Sequence, residues 1–237
     1  MASLYLSAAL ESAAVGGVVM LLGEDAKHAV TVARTRVGER LSIGNGRGLV
    51  ATGAVTAVAP GELSLLVEAV REEPRPAPEL WLVQALAKGD RDELAVQAAT
   101  ELGASGVIPW SAERSVTRWD SAKAEKGRTR WEAIVREASK QSIRAWVPTV
   151  EALHTPKQLS TLGTVLVLDP TATTPLTAVE LPESGSIHLV VGPEGGISER
   201  EFDLIGGTRV RLGAEVLRTS TAGPAALAVL NARLGRW

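Results

Sequence analysis

Along residues 1–70, apolar and polar positions alternate in short runs, broken by turn signals at Gly16-Gly17, Gly38-Glu39, Gly44-Asn45-Gly46 and Pro60-Gly61. A period of two sends successive side chains to opposite faces of a strand, so this stretch predicts a small all-β unit. Residues 40–43 and 49–58 read as strands flanking an Asn45-Gly46 turn, and residues 62–70 as a further strand. Strands this short leave unpaired edges unless the sheet curls, which predicts a partly closed barrel over residues 1–71. Pro74, Pro76 and Pro78 follow at alternate positions. Without amide hydrogens and with φ fixed they suit neither a helix nor a central strand, so residues 72–78 are expected to be a linker.

From residue 79 the pattern changes to strands alternating with helices, the signature of an α/β layer structure over 79–237. Residues 80–86 read as a buried strand, and Asp90 with Glu93 as a capping pair. A helix with Leu94, Ala98 and Leu102 on one face is expected to stop at Gly103. Val107-Ile108 begins another strand, and Trp131, Ile134, Val135 and Ala138 form the apolar stripe of a second helix. Residues 164–168 and 187–191 are apolar, β-branched runs suited to strands covered on both faces. Ser198 and Glu201 have capping-box spacing just after Gly195-Gly196; residues 209–212 read as the last strand and 225–233 as the last helix.

The 237 residues, 45% of them hydrophobic, can build one large core or two modest ones. No run approaches the about 18 apolar residues of a membrane span, and residues 1–10 lack a basic segment ahead of an apolar one, so a cytoplasmic protein is expected. The absence of cysteine excludes disulfides, thiolate metal sites and a cysteine nucleophile. His28, His154 and His188 are scattered, so no metal centre is expected. The net charge of −2 conceals segregated signs: residues 26–50 carry Lys27, Arg34, Arg36, Arg40 and Arg47 against Glu39 alone, and residues 111–145 carry nine basic and five acidic side chains. Two basic segments in a mildly acidic chain suggest a phosphate-binding face; the alternative is a solvated helical surface laced with i,i+4 ion pairs. The six tryptophans could stack on bases, but Trp81 and Trp131 fall at expected core positions.

Two segments carry candidate chemistry, each following an expected strand. Residues 190–198, Val-Val-Gly-Pro-Glu-Gly-Gly-Ile-Ser, place glycines and a stiff proline before a helix start, where backbone amides can approach a ligand. Residues 212–222, Leu-Gly-Ala-Glu-Val-Leu-Arg-Thr-Ser-Thr-Ala, put a glycine, an arginine and three hydroxyls between a strand and a helix. On spacing alone the first is simply a tight strand-to-helix connection. No G-x-G-x-x-G occurs, which argues against a nucleotide-dependent dehydrogenase.

The two segments resemble the paired C-terminal signatures, GPEGG-[hydrophobic]-S and LGxRILRTETA, of the RsmE family, the ribosomal RNA uridine-N3 methyltransferases of the SPOUT superfamily. Residues 28–48, Lys88, Glu101-Leu102-Gly103, Arg114-Ser115, Glu137-Ala138 and Gln141-Ser142 fall in the family's order as well. The resemblance implies an α/β SPOUT domain with a deep trefoil knot, preceded by a PUA-like β-barrel, in a homodimer. It implies S-adenosyl-L-methionine as cofactor and 16S rRNA, within the small ribosomal subunit, as substrate, with neither membrane nor metal involved. Leu168, Gly192, Glu194, Gly195, Ile197, Leu212, Gly213, Val216 and Leu217 are then expected to line the cofactor pocket. Arg218 is the candidate catalytic residue, stabilising negative charge on the uracil oxygens; the alternative is a structural arginine tying helix ends together. Arg34, Arg36, Arg40 and Arg47 of the barrel, with Arg114, are the candidate RNA contacts. The chain departs from the signatures at Glu215, where the family has arginine, and at Ser220, where it has glutamate. If that arginine touches phosphate, its task falls here to Arg209, Arg211 or residues 111–145. Competing readings are a knot methyltransferase acting on another RNA and a catalytically impaired RNA-binding homologue.

Overall fold

The computed structural model describes residues 3–237. They form two compact units, one running up to Arg75 and including Ser139–Val147, the other comprising Pro76–Ala138 and Pro148–Trp237.

The first unit contains β1 (Leu4–Leu6), β2 (Val18–Leu22), a short helix α1 (Gly23–Lys27) that continues as a π turn over His28–Val32, β3 (Arg40–Gly44), β4 (Leu49–Ala59) and β5 (Glu62–Glu72). They make one sheet in the order β1-β3-β4-β5-β2, antiparallel except for β1 beside β3. The period of two works as expected on β2, where Val19 and Leu21 are buried while Val18, Met20 and Leu22 face solvent. Register shifts at Thr52/Gly53 and Val55/Ala57 bend the long β4-β5 hairpin, and the sheet encloses Tyr5, Leu21, Ile43, Leu63 and Leu65. β5 extends to Glu72, one residue into the expected linker.

Residues 139–147 also belong to this unit, which the local pattern did not suggest. Ala145 is buried with Leu4, Leu6 and Val50, and the Trp146 indole donates to the Glu73 carbonyl at 2.8 Å with the Arg75 guanidinium over its ring. Lys140 and Asp25, both nearly buried, pair at 2.9 Å.

The second unit contains β6 (Glu79–Ala85), α2 (Arg91–Glu101), β7 (Gly106–Trp110), α3 (Ser121–Gln141, whose last residues belong to the first unit), β8 (Thr149–Val150), α4 (Pro156–Leu159), β9 (Thr164–Leu168), β10 (Ser186–Val191), α5 (Glu199–Ile205), β11 (Thr208–Val210) and α6 (Thr219–Arg233). All six strands are parallel, in the order β11-β9-β10-β6-β7-β8. Leu189 of β10 lies opposite Leu82 of β6 on one side and Leu166 of β9 on the other. Such strands are covered on both faces, which is why they read as unbroken apolar runs. The Ser198 capping box forms, with its hydroxyl accepting from the Glu201 amide and the Glu201 carboxylate accepting from the Ser198 amide at 3.0 Å. Trp131, Val135 and Ala138 are buried along α3.

Four expectations need correction. Asp90 makes no capping bond; the buried Asp92 carboxylate instead accepts from the amides of Ala87 and Glu93. α2 stops at Gly103, whose φ is +90°, but buries Ala95, Val96 and Ala99 while Leu94 stays half exposed. That helix packs on α6 and β6, and small side chains permit the close approach that leucines would prevent. α6 begins at Thr219, six residues before the expected start, and runs through Pro224, with Gly223 seated against Leu82 and Val191. Trp81 enters the core only in part: it packs against the buried cluster around Val83 and Ile108, while its indole donates to Glu79.

Candidate active site

Three neighbouring strands, β9, β10 and β11, end at Leu168, Val191 and Val210, and those three residues line a cavity of about 610 Å³. A crevice beyond the carboxyl ends of parallel strands is where open α/β sheets bind ligands. The turn after β10 brings Gly192, Pro193, Glu194, Gly196 and Ile197 to its wall, and the turn after β11 brings Leu212, Gly213, Glu215, Val216, Leu217 and Arg218. Apolar surface dominates the inside, and at the lip Val216 is 77% exposed, so an apolar side chain stands open to solvent.

Hydrogen bonds through Thr219 lock the two turns together. Its buried hydroxyl donates to the Gly192 carbonyl at 2.9 Å and accepts from the Gln84 carboxamide at 2.8 Å. Gln84 is fully buried on β6, and its Oε1 has no hydrogen-bond partner. The Trp110 indole, also buried, donates to the Val191 carbonyl at 2.9 Å. The start of α6 and the end of β10 are therefore held by side chains from β6 and β7.

The charges in the wall are mostly paired with one another. Arg209 bonds Asp169 at 2.7 Å and Glu199 at 2.9 Å, and its guanidinium lies 3.9 Å from the Phe202 ring centre. Burial opposes ionisation of Asp169, but hydrogen bonds from the Thr171 amide and hydroxyl and from Arg209 outweigh it, holding the carboxyl below its ordinary range. Glu194 is likewise held low against partial burial, by its own amide, Arg91 at 2.8 Å and the Lys88 amide. Arg211, Glu215 and Arg218 also line the cavity, and no ion pair engages them among the described residues.

Leu168, Gly192, Glu194, Ile197, Leu212, Gly213, Val216, Leu217 and Arg218 thus meet around one space. Gly195 does not line it: a Cβ there would sit 2.9 Å from Arg114 Cβ, so this glycine lets the turn lie against the Arg114 backbone. The candidate RNA contacts are divided between units. Arg34 and Arg36 are exposed and without ion pairs among the described residues, whereas Arg40 pairs with Glu68 at 2.6 Å and Arg47 donates to the Ala8 carbonyl. Arg114 belongs to the second unit and donates to the Gly195 carbonyl at 3.1 Å. Arg209, named as a stand-in for the arginine replaced by Glu215, bonds two carboxylates of the wall. Sequence reasoning missed Asp169, Arg91, Gln84 and the Thr219 link; the only local signal was an acidic residue directly after the apolar run 164–168.

An RNA methyltransferase domain model matches residues 73–231, and an RNA methyltransferase PUA domain model matches residues 21–68. The chain is 40% identical over 233 residues to the ribosomal RNA small subunit methyltransferase E of Mycobacterium tuberculosis, covering 94% of this chain and 89% of that one. It is 32% identical over 232 residues to the protein of the same name from Bacillus subtilis, covering 89% and 88%. A crystal structure of a ribosomal RNA small subunit methyltransferase E from Neisseria gonorrhoeae bound to S-adenosyl methionine superposes with a TM-score of 0.86 over 98% of each chain, at 27% identity. The domain match over residues 73–231 and the near full-length likeness to these relatives place the chain in one family: it belongs to the ribosomal RNA small subunit methyltransferases E.

Proposed function

We propose that this protein transfers a methyl group from S-adenosyl-L-methionine to N3 of a uridine in 16S rRNA of the small ribosomal subunit. The observation that carries the reading is that both glycine-bearing turns wall the same cavity, whose about 610 Å³ falls within the range of small-molecule sites. Its residues fit the cofactor: Leu168, Ile197, Leu212, Val216 and Leu217 offer apolar surface for an adenine, and Gly192 and Gly213 leave backbone groups open to its edge. When bound, the cofactor supplies a methyl carbon already activated by its sulfonium. The protein's own part is alignment and charge. Glu194 is held in place by Arg91, and the Thr219 hydroxyl keeps the two turns in register. Arg218, exposed at the N-cap of α6, brings positive charge to the lip, where it stabilises negative charge on the uracil oxygens as N3 loses its proton. Ser220 offers no carboxylate, so no base is assigned there.

The finer readings follow the family. The second unit holds a deep trefoil knot, a reading supported by β10 lying between β9 and β6 while the chain crosses repeatedly over the sheet. Two copies associate, a reading supported by the exposed apolar side chains of Leu94 and Leu204, which lie outside the cavity wall. The enzyme works in the cytoplasm; among the described residues no helix is long and apolar enough to cross a membrane. Arg34 and Arg36 of the barrel hold RNA phosphates. Incubation with labelled cofactor and unmodified 30S subunits, followed by mass spectrometry of nucleosides, should yield 3-methyluridine. A methyl group on another nucleoside, or no transfer, overturns the reading.

A further inference from the structure

A second cavity, of about 450 Å³, lies in the same unit and shares no wall residue with the first. Residues 117–119 and the first turns of α3 build it, together with Glu93 of α2. Its wall carries four cations, Arg118, Lys123, Lys126 and Arg130, and one acid. Arg130 pairs with Glu93 at 2.6 Å and Lys123 lies 3.4 Å from Asp120, while Arg118 donates to the Glu113 carbonyl, spending no carboxylate. Lys126 has no ion-pair partner among the described residues. A solvated helix pairs its charges along its own surface; these converge on a concavity and keep a positive excess.

The remaining wall is aromatic. Trp119 is part-exposed and meets the buried Trp131 edge-on, with ring centres 5.6 Å apart. It rests against Gly127, where a Cβ would run into the indole. Glycine is a poor helix former, so its presence inside α3 is explained by the ring it accommodates.

We propose that this basin is a second RNA site, taking one unstacked nucleotide of single-stranded RNA, with its base against Trp119 and its flanking phosphates at Lys126, Lys123 and Arg118. The proposal rests on the reading of the protein as an rRNA methyltransferase and adds a place where it grips RNA outside the reacting centre. Single-stranded RNA fits because a splayed base offers a π face to an aromatic ring, whereas a duplex keeps its bases stacked and presents phosphate alone.

The test uses the full chain and a short fluorescent oligouridylate, with anisotropy measured over a salt series. Lys123→Glu/Lys126→Glu should weaken binding by about tenfold or more and flatten the salt dependence. Trp119→Leu should weaken it by about fivefold or more with little change in salt slope. Calorimetric affinity for S-adenosyl-L-methionine should stay unchanged in both. Because Trp119 packs on Trp131, its variant could fail to fold; the exposed lysine pair keeps the test decisive. Undiminished oligouridylate affinity in the lysine variant overturns the site, as does absence of oligouridylate binding by the wild type. Equal binding of polyglutamate with the same sensitivity to the lysine change also overturns it, in favour of an acidic protein partner. If wild type still methylates 30S subunits, those outcomes remove the second site alone; failure of cofactor binding removes the enzymatic reading.

Discussion

Thr219→Val deletes a hydroxyl while keeping the side chain's volume, and the structure sets what that hydroxyl does. It donates to the Gly192 carbonyl at 2.9 Å and accepts from Gln84 at 2.8 Å. Each bond contributes about 1 kcal/mol net, and a buried polar group left without a partner costs about 1–3 kcal/mol more. Gln84 keeps a bond from its Nε2 to the Ala85 carbonyl at 3.1 Å, so the chief orphan is the Gly192 carbonyl. The expected loss is about 2–4 kcal/mol of unfolding free energy, a large share of the about 5–15 kcal/mol typical of a protein. Gln84→Met removes the other polar partner. In the Thr219→Val background it should cost less than in the wild type, giving a coupling of about 1–2 kcal/mol across the cycle. Urea unfolding of the four proteins, followed by tryptophan fluorescence, measures both quantities. Because the bond ties the turn after β10 to the start of α6, calorimetry should also show S-adenosyl-L-methionine binding about 5–30-fold more weakly in Thr219→Val. An unfolding free energy within about 0.5 kcal/mol of wild type, or strictly additive variants, would refute the assignment of this contact as the clasp of the cavity.

Two further outcomes follow from other parts of the molecule. Burial pushes the His188 imidazole down from 6.5 to about 4, against an opposing pull from Glu79 and with a smaller push from His154. The unfolded chain therefore takes up this proton first as pH falls through 6.5, and stability is lost down to about pH 4. Thermal unfolding of His188→Leu should accordingly lose about 1–2 kcal/mol less than wild type between pH 7 and pH 5, and an equal loss in both proteins would contradict the burial argument. On the barrel, Arg34→Glu/Arg36→Glu should weaken binding to a 16S rRNA fragment about tenfold and lower its salt slope without touching cofactor affinity, as read by filter binding and calorimetry.

The parts of this fold that could be read from the sequence are those decided by near neighbours. Alternation on β2, the Ser198 capping box and the stop at Gly103 each depend on residues a few positions apart. The exposed face of α2 is not legible from bulk, since Leu94 is half exposed while smaller side chains are buried. The buried face is chosen by α6, more than a hundred residues later, which selects Ala95, Val96 and Ala99 for their small size. Residues 139–147 escaped for the same reason, since Ala145 and Trp146 find their partners at Leu4, Val50 and Glu73. In the site, the glycine-bearing turns were legible as turns, but the bonds that organise them join residues 40 positions apart for Asp169 and Arg209 and 135 apart for Gln84 and Thr219. No local spacing encodes such pairs. Arg209 reads in the sequence as a free cation, whereas the fold sets two carboxylates against it.

Arg218 is the residue whose placement makes least sense as structure. It occupies the N-cap of α6, where its side chain makes no capping bond, and no carboxylate pairs with it among the described residues. A cation at that end of a helix opposes the macrodipole at a cost of about 0.3–1 kcal/mol, and a hydroxyl in its place would cap the free amides. Arg218→Ser should therefore stabilise the protein by about 1 kcal/mol, raising Tm by about 2–4 °C for a chain of this size. The same charge, set beside a helix N-terminus at the lip of the cavity, makes a local positive potential suited to an oxyanion. Removing one such donor lowers turnover about 100- to 1000-fold in comparable sites, so methyl transfer to 30S subunits should nearly vanish while cofactor affinity holds. A gain in stability with a loss of turnover is the signature of a group retained for chemistry. If Arg218→Ser instead melts earlier and loses activity only in step with its unfolding, the arginine is a structural tie and the charge it brings to the lip plays no part in the reaction.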